Sequence, residues 1–319
     1  MVFATVVVPT YRRPASLARA LSGLAAQHDP GVTWDVVVVD NNGDAAAPVA
    51  IPDLPVPARA VVEHQPGATA ARRRGLLEVA GEVVVFIDDD VVPRPDWLAH
   101  ILEPIVAGRA DGTAGTVVLD PDVTRPRWLD EAAVGGYLTS YQPATEERDL
   151  EPNEWLVTAN AAFRADRLRA CDPFDDDLGP RRGTPFVNDD VALLRRFVAA
   201  GGRVRAVPGA VVVHELPPER MRVRYLLRRA WAQGRSDWRL DRDVLATRPL
   251  AGAGRAVSAA VEQLGFRLRE GPWRAPVAVH AGCDTARAAG WLVESGQAMV
   301  RRARAARSTA DSNASINRR

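Results

Sequence analysis

Hydrophobic and polar positions over residues 3–87 switch repeatedly between two periods. Phe3–Val8 is a continuous, mostly β-branched run, residues 14–26 carry apolar side chains at helical spacing through Leu17, Leu21 and Leu24, and Trp34–Val39 is a second apolar run. A helix-compatible stretch over 69–80 precedes a third run at Glu82–Ile87. Continuous apolar strands separated by helical segments mark a parallel sheet covered on both faces. The pattern predicts an α/β fold: an open, mostly parallel twisted sheet flanked by helices. In such sheets ligands bind beyond the carboxyl ends of the strands.

Periodicity fades between residues 120 and 154, where Pro, Asp, Glu and Arg accumulate, which predicts a long functional loop region holding short helices. Trp155–Phe163 reads as a strand, and Val191, Leu194, Phe197 and Val198 mark a helix stopped by Gly201-Gly202. Val204–Val213 predicts one or two short strands broken at Pro208-Gly209. Beyond Pro218 the chain reads as helical, with breaks near 249–254 and 271–276. These readings divide it into a ligand-binding and catalytic domain at 1–217, a helical region at 218–307 and a polar, disordered tail at 308–319.

Composition narrows the chemistry. The 319 residues are 47% hydrophobic and 25% charged, an ordinary globular profile. All 41 basic side chains are Arg. Without lysine there is no Schiff base and no Walker-type phosphate loop. Cys171 and Cys283 lie far apart with no CxxC spacing, which suits a reducing cytoplasm rather than a disulfide framework or a zinc-thiolate site. The apolar N-terminus lacks a basic leader and reads as a buried strand, and no stretch approaches the ~20 apolar residues that span a bilayer. Residues 220–319 hold 20 Arg against eight acidic residues, a net of +12, whereas residues 1–219 carry −11. Such asymmetry can mark a basic face meeting an anionic membrane, with Trp273 and Trp291 as anchors, or simply solvated helices.

The residues after each predicted strand are polar: Pro9-Thr10-Tyr11-Arg12-Arg13, Asp40-Asn41-Asn42 and Asp88-Asp89-Asp90. The first of these turns has no glycine, which excludes an ordinary GxGxxG dinucleotide fold. Asp88 and Asp90 stand at i and i+2, so in extended backbone both carboxylates point to one side, an arrangement that favours a divalent cation between them. Oxygen ligands without nearby thiols select Mg²⁺ or Mn²⁺, with positions left for phosphate; the competing reading is a solvated acidic turn. Asn188-Asp189-Asp190 precedes a helix, where one side chain is expected to cap free amides and a second carboxylate is left for general-base work. His214 closes an apolar run and reads either as a structural histidine or as a ligand.

Together these segments resemble a known family. Val-Val-Val-Pro-Thr-Tyr-Arg-Arg at 6–13, Val-Val-Val-Asp-Asn-Asn ending at Asn42, Gly-Ala-Thr-Ala-Ala-Arg-Arg-Arg-Gly ending at Gly75 and Phe-Ile-Asp-Asp-Asp-Val ending at Val91 look like the family 2 glycosyltransferases of GT-A fold. Asn188-Asp189-Asp190 and Val-Pro-Gly-Ala-Val-Val-Val-His214 follow in the same order, so the match covers roughly residues 3–215. The resemblance implies a nucleotide-diphosphate sugar donor and an acceptor hydroxyl, with no nucleic-acid partner. It places Pro9, Thr10, Tyr11 and Arg13 along the nucleotide, Asp40 on the base, Arg72 near the base or diphosphate, and Asp89 beside the nucleotide. Asp88 and Asp90 match the DxD motif, the first near the ribose and cation, the second on the cation, joined in some relatives by His214.

Asp190 matches the base that deprotonates the acceptor and implies inversion at the anomeric carbon. Asp189 stands where Glu is commoner, so the base lies between Asp189 and Asp190, with Asp190 favoured. Asn160 matches a segment at the donor–acceptor boundary, and Arg228 and Arg229 are candidates for the diphosphate. Trp128, Tyr137, Tyr141 and Trp155 could form an acceptor wall, with core packing preferred for Trp155 and the choice open for Trp128. Two other readings compete: a non-catalytic sugar-nucleotide-binding or scaffold protein and, more remotely, a nucleotidyltransferase. The expected location is the cytoplasm, at the inner face of the membrane if the basic C-terminal helices dock there.

Overall fold

The computed structural model describes residues 2–44, 47–151, 154–180, 186–241 and 275–316. It divides into two compact units, Met1–Arg222 and Val223–Arg319. In the first, β1 (Phe3–Thr10), β2 (Thr33–Asp40), β3 (Ala58–Val62) and β4 (Val83–Ile87) run parallel in the order β3-β2-β1-β4. Successive side chains of a strand face opposite ways, and here both faces are covered. Val6, Val8, Val36, Val38, Val85 and Ile87 join one core with Leu17, Leu21 and Leu24 of α1 (Pro14–Ala25). Val7, Val37, Val39, Val84 and Phe86 join the opposite core with Ala71 and Leu76 of α2 (Ala68–Glu78). Helix α2 lies so close to β1 that a Cβ on Gly75 would come within 2.2 Å of a Val7 methyl.

The sheet continues through β8 (Asn160–Arg164), β6 (Gly112–Leu119), β9 (Val204–His214) and β5 (Val91–Pro93), with β7 (Arg148–Asp149) against β9. Strand β8 is antiparallel to both β4 and β6, so the sheet is parallel in its N-terminal half and mixed beyond. Helix α3 (Trp97–Val106) contributes Trp97, Leu98 and Ile101 to the first core, and α6 (Asp189–Ala199) contributes Leu193, Leu194 and Phe197 to the second. The 120–154 region holds the short α4 (Glu131–Val134), a 3₁₀ turn at Gly135–Leu138 and β7; α5 (Ala165–Ala170) follows β8.

Three sequence expectations are corrected. The strand predicted from Trp155 begins only at Asn160; Leu156, Val157 and Ala159 are apolar because a strandless segment is buried there. Strand β9 runs through Pro208-Gly209 as one element, although its pairing with β6 is interrupted there: Gly115 pairs with Val207 and Thr116 with Val211, so residues 208–210 bulge out of the ladder. In the second unit, α7 (Val223–Leu240) packs with α8 (Ala275–Ile316), which stays helical past residue 308, where a tail was expected. No glycine or proline follows Gly296 to stop it. The predicted breaks at 249–254 and 271–274 and the candidate anchor Trp273 lie outside the described residues.

Within the second unit, a Cβ on Gly234 would come 1.7 Å from the Arg287 carbonyl, so α7 and α8 approach through their backbones. Trp291 is buried rather than free to anchor anything. Glu294 is fully buried and accepts from Arg235 and Arg239, and from Arg301 at 3.2 Å. No helix among the described residues is long and apolar enough to cross a membrane.

Candidate functional site

Strands β1, β2 and β4 end at one edge because they are parallel and in register, Thr10 opposite Asp40 and Val7 opposite Phe86. Their polar ends border a cavity of about 470 Å³, a size that suits a small-molecule ligand. Pro9, Thr10, Tyr11, Arg13, Asp88 and Asp89 line it, together with Asn41, Asn42, Asp44 and His64. Asp40 is not on the cavity wall. Its oxygens accept from the backbone N–H groups of Asn42 and Val49, both at 2.9 Å, so it braces the loop that carries the wall instead of presenting itself to a base.

Asp88 and Asp90 diverge, contrary to the i, i+2 expectation. Strand β4 ends at Ile87 and the next residues turn, so the rule for extended backbone no longer applies. Asp88 Oδ1 accepts from Arg72 Nη2 at 2.7 Å. Asp90 faces the other way, accepting at Oδ2 from Arg13 Nη1 at 2.9 Å and from Arg220 Nη2 at 2.8 Å. Asp89 lies between, held by the Thr10 hydroxyl at 2.7 Å and Arg13 at 3.2 Å. Burial and the neighbouring Asp90 push the Asp89 carboxyl up to about 6, against the pull of Thr10 and Arg13. Burial also acts to raise Asp90, but His214 and the Arg220 and Arg13 guanidinium groups outweigh it and hold the carboxyl below its ordinary range.

Arg72 links two parts of the site. It is buried on α2, and its second nitrogen, Nη1, lies 3.0 Å from Asp189 Oδ2 at the start of α6. Burial disfavours its charge, but Asp88 and Asp189 raise its pKa, so it is a permanent cation. The expected side-chain cap on α6 is not made. Asn188 occupies the N-cap position with φ 72°, a left-handed conformation that Asn tolerates, while the two following carboxylates turn to other partners. Asp190 Oδ1 accepts from the Thr158 hydroxyl at 2.5 Å. Burial, reinforced by the adjacent Asp189, lifts its carboxyl to about 7 despite Arg72 and Thr158. The two acids therefore differ: Asp189 is neutralised by a guanidinium, and Asp190 is poised near neutrality with the Thr158 hydroxyl on its Oδ1.

His214 ends β9 opposite Val91, which places Nε2 3.5 Å from Asp90 Oδ1. Burial pushes its imidazole pKa down, a pull that Asp90 opposes without reversing. Among the described residues no group of three or more His, Cys, Asp or Glu converges on one point.

Asn160 lies in the interior. It is fully buried, accepts from Trp97 Nε1 at 2.8 Å and donates to the carbonyls of Thr116 and Ala210 at 2.9 and 2.8 Å. It ties α3, β6 and β9 together, and its amide is used up doing so. Trp155 is 42% exposed instead of packed in the core, its ring 4.6 Å from that of Tyr141, whose hydroxyl donates to the Trp155 carbonyl. Trp128 is half-buried in the 120–130 loop, away from the cavity lining. Arg228 and Arg229 lie on α7 of the second unit. Two residues at the site escaped the sequence reading. Thr158 sits in an apolar run that masks its hydroxyl. Arg220 is one of 41 arginines, and only its position six residues past His214 distinguishes it.

Comparison with known proteins identifies the family. The model of "Glycosyl transferase family 2" matches residues 5–171. The succinoglycan biosynthesis protein ExoM of Rhizobium meliloti is 28% identical over 239 residues, covering 73% of each chain. The pre-mycofactocin glycosyltransferase of Mycobacterium tuberculosis is 29% identical over 220 residues, or 66% of this chain and 42% of the relative. A solved structure of GalNAc-T7 with UDP, GalNAc and Mn²⁺ superposes with a TM-score of 0.51 at 14% identity, over 76% of this chain and 48% of that one, and shows a shared fold. This chain thus spans less than half of two of these three proteins.

Proposed function

Since the chain belongs to glycosyl transferase family 2 and is a glycosyltransferase, we propose that it moves a sugar from a nucleoside-diphosphate sugar to an acceptor hydroxyl. Transfer proceeds with inversion and is assisted by Mn²⁺ or Mg²⁺. The supporting observation is the Arg72 bridge, which joins Asp88 at the cavity to the Asp189–Asp190 pair. The cavity lined by Pro9, Thr10, Tyr11 and Asp89 takes the nucleoside. Asp190 is the general base: its pKa near 7 lets it accept the acceptor's proton at neutral pH, and Thr158 fixes the carboxylate for that step. Asp189 is a positioning residue, because Arg72 already holds its oxygen. Arg13 adds positive charge at the cavity edge.

Asp90 and His214 fit a divalent cation. An Asp90 carboxylate oxygen and the His214 Nε2 lie 3.5 Å apart on two buried side chains, a hard oxygen and an imidazole nitrogen facing one point. Two protein donors leave coordination positions for phosphate and water, as Mg²⁺ and Mn²⁺ prefer. When bound, the cation neutralises charge growing on the departing diphosphate.

Wild-type protein given a panel of nucleotide sugars should release nucleoside diphosphate from one of them, and Asp190→Ala should not. Unchanged release by Asp190→Ala would refute the base, and a product retaining the donor's anomeric configuration would refute inversion. A peripheral membrane role for the basic second unit is favoured by Leu292, Val293, Met299 and Val300, which are exposed on one side of α8. Flotation with vesicles containing anionic lipid, and none with neutral vesicles, is the expected result.

A further inference from the structure

Arg220 closes a triangle with the two groups that fit a cation. Its Nη2 lies 2.8 Å from Asp90 Oδ2 and its Nη1 2.9 Å from His214 Nε2, while Nε2 and Asp90 Oδ1 are 3.5 Å apart. A guanidinium only donates hydrogen bonds, so His214 Nε2 must present its lone pair to Arg220 and carry its proton on Nδ1. That lone pair is the one a metal ion would use, and Asp90 is the carboxylate it would share. Two cations cannot occupy the same focus.

The tether of Arg220 is short. It sits in a turn whose Arg220 N–H donates to the Pro217 carbonyl at 2.9 Å, just beyond the end of β9, and its side chain is 18% exposed whereas those of His214 and Asp90 are 3% and 11% exposed. The partners are fixed in strand and turn, and the arginine is the member with an open side toward solvent. Arg13 also contacts Asp90, but it shares itself with Asp89 and leaves His214 untouched.

We infer that Arg220 is the resident counter-ion of the Asp90–His214 pair, displaced when a divalent cation binds there and thereby freed to pair with phosphate oxygens. This rests on the metal-assisted reading above. Cation loading is then an exchange: one guanidinium leaves as one metal ion enters, and the site keeps positive charge beside Asp90 in both states. In isolation the protein should hold Mn²⁺ weakly, because the ion must first break two charge-assisted hydrogen bonds.

The test is titration with Mn²⁺ alone, reading free ion by electron paramagnetic resonance, so that turnover plays no part. Arg220→Gln should bind one Mn²⁺ per chain at least tenfold more tightly than wild type, and adding Asp90→Asn should abolish that binding. Arg220→Lys keeps a charge but cannot span both acceptors; it should fall between them, and it serves if the glutamine variant does not fold. Equal Mn²⁺ affinity in wild type and both Arg220 variants, still lost with Asp90→Asn, would overturn the exchange while leaving the metal site standing. Absence of Mn²⁺ binding in every variant would overturn both.

Discussion

The molecule contains two buried clusters of arginine and carboxylate built to opposite balances. In the second unit three arginines surround the single carboxylate of Glu294. Burial alone would raise that carboxyl, yet its bonds to Arg235 and Arg239 hold it below the ordinary range. At the sheet edge Arg13, Arg72 and Arg220 face five carboxylates, and burial, reinforced by neighbouring carboxylates, raises two of them, Asp89 to about 6 and Asp190 to about 7. The first cluster is satisfied and belongs to helix packing. The second is short of positive charge, an imbalance more typical of functional sites than of structural ion pairs.

Breaking each cluster should therefore give a different kind of loss. The largest effect is expected from Asp190→Ala, which should lower kcat by ~10²–10⁴-fold, the range for a positioned general base, with the circular dichroism spectrum unchanged. Its isostere Asp190→Asn sharpens the contrast. A carboxyl whose native pKa is raised takes up a proton on folding between about pH 4 and 7, so its contribution to stability falls as pH rises across that window. The asparagine variant escapes this loss and should melt about 2–4 °C above wild type at pH 8 while remaining inactive.

Glu294→Ala should do the reverse. Removing one partner of a buried ion pair costs ~3–5 kcal/mol, here by leaving Arg235 and Arg239 without their acceptor. Calorimetry should record that loss, whereas kcat/KM measured well below the melting temperature should stay within about twofold of wild type. Next in size is Asn160→Ala, which strands the carbonyls of Thr116 and Ala210 and the Trp97 indole. It should cost ~1–3 kcal/mol per unsatisfied group without a selective rise in KM. A specific KM effect would place Asn160 at the substrate boundary. The smallest effect is a shift in a pH profile. Wild-type kcat should rise with pH through about 7 as Asp190 deprotonates. Thr158→Val removes the hydroxyl that favours the charged form, so the rising limb should move to higher pH by ~0.5–1 unit.

The same contrast explains what the sequence could reveal. Strands β1, β2 and β4 were legible because strands buried on both faces are continuous apolar runs, and their carboxyl ends located Thr10, Asp88 and Asp89 on the cavity without any structure. Periodicity could not place Asn160 or Trp155, since an apolar run reads alike as a strand or as a buried irregular segment. Nor could it foresee that Asp88 and Asp90 part company, because the spacing rule presumed extended backbone where the chain turns. Arg220 was hidden by abundance: its role is set by the 2.8 and 2.9 Å contacts it makes and not by its identity. Asp189 and Asp190 adjoin in sequence, and their partners, Arg72 and Thr158, distinguish them.

Every fixed positive charge bordering this site is a guanidinium, in a chain that contains no lysine. An arginine stays protonated throughout the range in which proteins are handled, so an ionisation seen in rate or binding between mild acid and mild alkali does not come from these cations. It also means that acylating reagents aimed at primary amines have no side chain to modify. The protein could be coupled through its terminal amine to a dye or a support with the side chains of this cavity chemically untouched.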